Sequence, residues 1–204
     1  MIDLHTHHER CGHAEGTLAD VAGWAVARGV AVLGVSDHAP RFADPADHPR
    51  PHTQMARSAW DGYLAEAAAL RDELAGRLDL RVGVEADYLP GTEAVYRAAL
   101  DRPELDYVLG SVHEVAHDGG LWNLFDPASY AAADLDEVHA RYWRSVAAGA
   151  QSGLFDVLAH LDLVRMLPPP VDPPRDAIED ALDAIADAGV AVEINGSGMR
   201  RDGR

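Results

Sequence analysis

The sequence predicts an α/β fold in which parallel strands alternate with helices. Short runs rich in Val and Leu recur between Ala-rich stretches of helical spacing. Their regular alternation calls for parallel strands joined by helical crossovers. No repeat of fixed period and no linker interrupts the 204 residues, so a single domain over 1–204 is expected.

The elements follow in order. "IDLH" (2–5) reads as the first strand. Residues 16–29 read as a helix, with Thr17 as N-cap, Asp20 three residues later and Gly29 as the stop. Residues 30–38 form a buried strand by composition. The Pro-rich stretch 41–54 is long enough to suggest a lid or binding loop. Residues 55–76 read as a helix, from the spacing of Trp60, Leu64, Ala67 and Leu70. Strands are expected at 80–88 and 105–113, and a long helical segment at 127–150. The fifth strand, 154–162, ends at or near His160, and 166–174 is a stiff connector. Asp172 is expected to cap a helix over 174–188 that has Pro at its start and Gly189 at its end. The sixth strand is 189–195.

Composition narrows the chemistry. Thirty-four acids face 17 bases, a net charge of −17, which argues against an electrostatic grip on nucleic acid or an anionic membrane. Every base is arginine, so a P-loop lysine and a Schiff-base lysine are excluded. Cys11 is the one cysteine, which excludes Cys-rich metal sites and an internal disulfide within the chain and suggests a reducing, cytoplasmic setting. There is no long apolar run and no basic-then-apolar start, so neither a membrane span nor a signal peptide is expected. No organic cofactor is expected. Eleven histidines are the unusual resource.

Nearly every predicted strand ends in a potential ligand: His5 and His7, Asp37 and His38, Glu85 and Asp87, His113, His160, Glu193 and Asn195. Active sites of β/α barrels are built at that mouth. His5 and His7 are two apart and share one side of a strand. Imidazoles with a carboxylate suit zinc, manganese or iron. A lone histidine at a strand end is ordinarily a hydrogen-bonded polar residue, but a whole set of such strand ends calls for a common cause. His8, His48, His52, His117 and His139 have weaker cases. His8 would face away from His5 and His7, and His139 falls inside a helix. Asp37, Asp87 and Asp162 would orient histidines from behind or serve as turn residues.

Six segments, "DLHTHHERCGH", "GVSDHAP", "GVEADY", "LGSVH", "LAHLDLVR" and "VEINGSG", resemble the PHP family in the right order over essentially the whole chain, and its histidinol-phosphate phosphatases in particular. The resemblance implies a distorted (β/α)7, TIM-like barrel with up to three divalent metal ions. His5, His7 and Glu85 would hold one metal. Glu85 would bridge to a second, also held by His113 and His160, and His13 and His38 would hold a third. Arg165 and Arg200 match positions expected to grip a substrate phosphate, with ordinary surface charge as the alternative. Catalysis would run through Glu85 and His113 by way of a metal-activated hydroxide attacking phosphorus in line. Family members continue into a seventh strand ending in an Asp-x-His-like motif. Nothing here matches it, so the barrel is expected to be shortened after the sixth strand, with an open edge.

The implied reaction is hydrolysis of a small-molecule phosphate ester, L-histidinol phosphate in histidine biosynthesis. A PHP-type phosphodiesterase or nuclease and a truncated, non-catalytic metal-binding domain are the alternatives. An amidohydrolase-type barrel also opens with H-x-H, but it normally calls for a carboxylated lysine. A homo-oligomeric assembly is left open.

Overall fold

A computed structural model describes residues 1–169 and 174–196. Arg200 and the expected cap Asp172 lie outside the described residues. The chain packs as two compact units, residues Met1–Ala86 with Ala94–Leu109, and Asp87–Glu93 with Gly110–Arg204. The division falls within two strands.

In the first unit, β1 (Ile2–Asp3) pairs in parallel with β2 (Val32–Val35), Ile2 opposite Val32 and Asp3 opposite Leu33. β2 pairs in parallel with β3 (Asp79–Asp87), from Val32 opposite Asp79 to Val35 opposite Val82. β4 (Tyr107–Ser111) follows beside β3. Helix α1 (Leu18–Ala27) opens with the expected reciprocal cap. The Thr17 side chain accepts from Asp20 N, and Asp20 accepts from Thr17 N. Gly29 follows with φ +64°, which lets the chain turn off the helix. Helix α2 (Trp60–Glu73) starts five residues later than its composition suggests. The loop before it claims the backbone donors: Arg57 N bonds Asp47 O at 2.8 Å, and Ser58 N bonds Asp47 Oδ1 at 2.7 Å.

The interior of this unit is filled by an aromatic residue lying over glycines. A methyl group on Gly34 would stand 2.1 Å from Tyr107 Oη, and one on Gly83 would stand 2.2 Å from Tyr107 Cζ. The Tyr107 hydroxyl reaches the residue just after β1 and donates to Leu4 O at 2.5 Å. Tyr63, fully buried on α2, places its hydroxyl 2.6 Å from Gly83 O. Small residues on β2 and β3 thus make room for rings that tie four strands and a helix together.

The loop 41–54 contains no strand or helix, in agreement with its sequence, but it is tied down. His48 Nε2 bonds Gln54 O at 2.8 Å, and the Arg57 guanidinium bonds the carbonyls of Phe42 and Asp44. Phe42 packs edge-on against Trp60 and Tyr96.

In the second unit, β7 (Val157–Leu158) lies beside the end of β4, and Ala159 N bonds Gly110 O at 2.9 Å. β8 (Ala191–Val192) runs parallel to β7, Val157 opposite Ala191. Helices α4 (Leu135–Gln151) and α5 (Arg175–Ala188) pack against each other. A glycine again admits a ring: a methyl on Gly110 would stand 2.3 Å from Phe155 Cγ.

Four local departures from expectation have identifiable causes. Helix α3 (Glu93–Leu100) fills a stretch for which no element was expected. Strands β5 (Glu114–His117) and β6 (Gly120–Asn123) form an antiparallel hairpin whose two-residue Asp-Gly turn is a standard hairpin signal. The helical segment expected at 127–150 begins instead with a 3-10 turn, Pro127–Tyr130, and α4 starts only at Leu135. Asp126 and Asp134 cap these two pieces separately, bonding Ala128 N and Asp136 N, which overrides the Ala-rich propensity between them. The strand expected at 154–162 is reduced to two residues. His160 has φ +25°, and its N–H is taken by Glu193 Oε2 at 2.7 Å, so no ladder continues.

Gly83→Ala or Gly34→Ala would force the buried Tyr107 ring to move. Denaturant unfolding should show a loss of about 1–3 kcal/mol for either variant and about 1 kcal/mol for Tyr107→Phe, which keeps the ring and loses the bond to Leu4. Wild-type stability in the two glycine variants would contradict this packing.

Candidate metal centre

The first unit gathers its histidines by local means. β1 ends at Asp3, whose Oδ1 accepts from His5 N at 3.2 Å. Thr6 then bonds across to β2: its hydroxyl donates to Gly34 O at 2.7 Å, and its N–H donates to Ser36 Oγ at 3.0 Å. These bonds fix the backbone on either side of the His5 and His7 side chains. After His8 the chain makes a 3-10 turn, Glu9–Cys11, closed by Gly12 at φ +80°. A methyl on Gly12 would stand 2.2 Å from Pro51 O, so the turn bearing His13 sits directly against the loop 41–54.

Around Glu85 three imidazoles converge on one oxygen. Oε2 lies 3.1 Å from His5 Nε2, 3.5 Å from His7 Nε2 and 3.1 Å from His38 Nδ1. Glu85 is 1% exposed. Backbone bonds of Glu85 N to Asp37 O and of Ala39 N to Glu85 O hold His38 and Glu85 side by side. The rings of His7 and His38 stack at 4.5 Å, and His13 is 5.1 Å from the first and 5.0 Å from the second.

A carboxylate oxygen has too few lone pairs to accept well from three imidazoles at once. Donors sharing a tetrahedral zinc-like ion stand roughly 3.3–3.6 Å apart. The observed spacings of 3.1, 3.1 and 3.5 Å lie at or just below that range. The donor set His7, His38 and Glu85, with His5 beside it, therefore suits a divalent cation, and donor atoms of His7, Cys11 and His13 also lie within 4.8 Å of one another.

Behind these side chains stands Asp37, 1% exposed. Oδ1 accepts from His38 N at 3.0 Å and faces His7 Nδ1 at 3.3 Å. Oδ2 accepts from Cys11 N at 3.0 Å and faces His8 Nδ1 at 2.5 Å. Burial alone would raise the Asp37 pKa, but the bonds from His7, His8 and Cys11 outweigh it and hold the carboxyl well below its usual range. Asp37 is thus the orienting acid that the sequence suggested. His8, expected to point away, is buried and takes part as Asp37's second imidazole.

In the second unit, His113 Nδ1 lies 2.5 Å from Asp87 Oδ1, the orienting role expected of Asp87. The His113 ring is 5.1 Å from that of His160. Glu193 accepts from His160 N through Oε2 and from Asn195 Nδ2 at 3.0 Å through Oε1, so these two strand-end residues act as a brace for His160. Phe125, half exposed, packs on His113 at 5.6 Å, and nothing in its sequence context marked it. Asp162 and Arg165 lie in the 3-10 turn Leu161–Met166, with Arg165 exposed. His139 is a packing residue bonded to Pro168 O, and His117 stacks on Trp122 in the hairpin.

Cys11 is fully buried, with its thiol 3.1 Å from His8 O. Burial first, and the Asp37 charge second, push that thiol up to about 12. Disulfide-exchange reagents at pH 8 should therefore label the native protein at least about a hundredfold more slowly than a free cysteine, with full labelling in denaturant. Rapid native labelling would show that the turn does not hold.

Comparison with known proteins places this arrangement. Residues 3–197 match the PHP domain family. A protein of Deinococcus radiodurans named as a probable histidinol-phosphatase is 37% identical over 204 residues, covering 98% of this chain and 75% of its own length. A candidate histidinol phosphatase of Listeria monocytogenes shares the fold with a TM-score of 0.81 at 21% identity, over 98% of this chain and 84% of that one. The Lactococcus lactis histidinol phosphate phosphatase, crystallised with zinc, L-histidinol and phosphate, does so with a TM-score of 0.74 at 20% identity, over 95% of this chain and 72% of that one. With an α/β fold of parallel strands, the expected motifs in order and these matches, the chain belongs to the PHP family.

Proposed function

We propose that this protein is a phosphoric monoester hydrolase that uses divalent metal ions to split L-histidinol phosphate into L-histidinol and phosphate, as a step of histidine biosynthesis. The observation that carries the reading is the approach of His5, His7 and His38 to a single buried oxygen of Glu85. The 37% identity to the Deinococcus radiodurans protein supports the substrate class. The ligands of the Lactococcus lactis structure support both the metal and the ester.

In this reading His5, His7, His13, His38, Glu85, His113 and His160 are the metal ligands, for up to three ions of zinc, manganese or iron, within one catalytic domain over 1–204. Bound metals supply Lewis acidity toward the phosphate oxygens and lower the pKa of an attacking water. The chain's own contribution is orientation. Asp37 and Asp87 hold the Nδ1 sides of His7 and His113, so the other ring nitrogen of each is presented as a lone pair. Glu85 keeps an anionic oxygen where three imidazoles meet. His160, with its strained backbone, is braced by Glu193. Arg165 and Arg200 are proposed to grip the phosphate by their planar forks. The chain's net charge of −17 repels a phosphate ester at long range, and only local cations and arginines reverse that field.

Metal-loaded protein should release phosphate from L-histidinol phosphate and lose this activity to a chelator. Glu85→Gln and His113→Ala should each lower kcat/KM at least about a hundredfold, with matching loss of bound metal by elemental analysis. Cleavage of single-stranded DNA with no action on the monoester would favour the nuclease reading. Bound metal without hydrolysis of any phosphate ester would favour the non-catalytic one.

A further inference from the structure

We infer that Arg10 is a positioning residue: it sets the proton position on His8 and, through His8 and Asp37, the orientation of His7. The inference rests on the reading of His7 as a metal ligand. An arginine side chain offers only donors. Arg10 Nη1 lies 3.0 Å from His8 Nε2, so that nitrogen must present its lone pair. The single proton of His8 then sits on Nδ1, the nitrogen that faces Asp37 Oδ2 at 2.5 Å. The opposite tautomer would set a lone pair against the carboxylate and an N–H against the guanidinium, two repulsive contacts on a ring that is 1% exposed.

The direction carries onward. Asp37 Oδ2 accepts from Cys11 N and faces His8, and Oδ1, which accepts from His38 N, faces His7 Nδ1 at 3.3 Å. That leaves His7 Nε2 as a lone pair on the side where Glu85 Oε2 stands 3.5 Å away. Arg10 is itself steadied from α2, where Glu66 Oε2 meets its Nη2 at 2.5 Å. The sequence Glu66, Arg10, His8, Asp37, His7 is thus a run of oriented contacts from an exposed helix position to a buried ligand. Its sequence signature is the segment "HHER", which places His7, His8 and Arg10 within four residues.

Two measurements on the purified protein decide the matter. Long-range 1H–15N correlation spectra of zinc-loaded protein labelled at histidine, with His8 assigned from His8→Gln, should show His8 as the Nδ1–H tautomer. An Nε2–H or doubly protonated ring would overturn the inference. Zinc affinity by chelator competition should fall about tenfold or more in Arg10→Ala and recover to within about threefold of wild type in Arg10→Lys, which restores a donor. Equal zinc affinity in Arg10→Ala and wild type would also overturn it. Failure of the wild type to bind zinc would instead sink the ligand reading, since the His8 tautomer remains readable in metal-free protein.

Discussion

Asp37 is 1% exposed, and an ionised carboxylate at that depth persists only where donors replace the water it has lost. Three donors come from distinct points of the chain, the ring of His7 and the backbone N–H groups of His38 and Cys11, and the His8 ring faces the carboxylate at 2.5 Å. Withdrawing the carboxylate would leave the 3-10 turn Glu9–Cys11 and two imidazoles without their common partner. The geometry around Glu85 depends on this arrangement, because His7 and His38 reach Glu85 from residues that Asp37 holds. The acid beside these histidines sets where the rings point.

A second constraint lies beneath the centre. Gly34 and Gly83 carry no side chain because the Tyr107 ring occupies the space, and Gly110 yields in the same way to Phe155. This filling fixes the strands from which the ligands project. Backbone strain enters at only one non-glycine position among the described residues, His160 at φ +25°. Strain of this kind concentrates where a side chain must be aimed against the local preference of the chain, and Glu193 supplies the compensating bond.

Much of this was legible before any coordinates. The parallel α/β order follows from apolar runs separated by helical spacing, and the cap at Thr17 and the stop at Gly29 appear where the residues indicate. Asp37 and Asp87 could be named as orienting acids because each stands at a strand end among histidines. The Asp-Gly turn of the β5–β6 hairpin was available and went unread. Helix α3 carried less signal, being eight residues long with its apolar face set by tertiary packing. The break before Leu135 was hidden by alanines whose helical propensity is weaker than two aspartate caps.

The sequence by itself determined which donors are available, their spacing along the strands, and the kind of cation chemistry they suit. It also excluded lysine and paired-cysteine mechanisms by absence of the residues. Tertiary structure alone decided which oxygen of Glu85 the imidazoles share, and that His8 turns inward to Asp37. It alone decided that Glu193 and Asn195 brace His160. The physical reason is direction. Residue type fixes what a group can donate or accept, whereas the bearing of a ring nitrogen or a carboxylate oxygen depends on backbone angles and on partners as distant in sequence as His5 and Glu85.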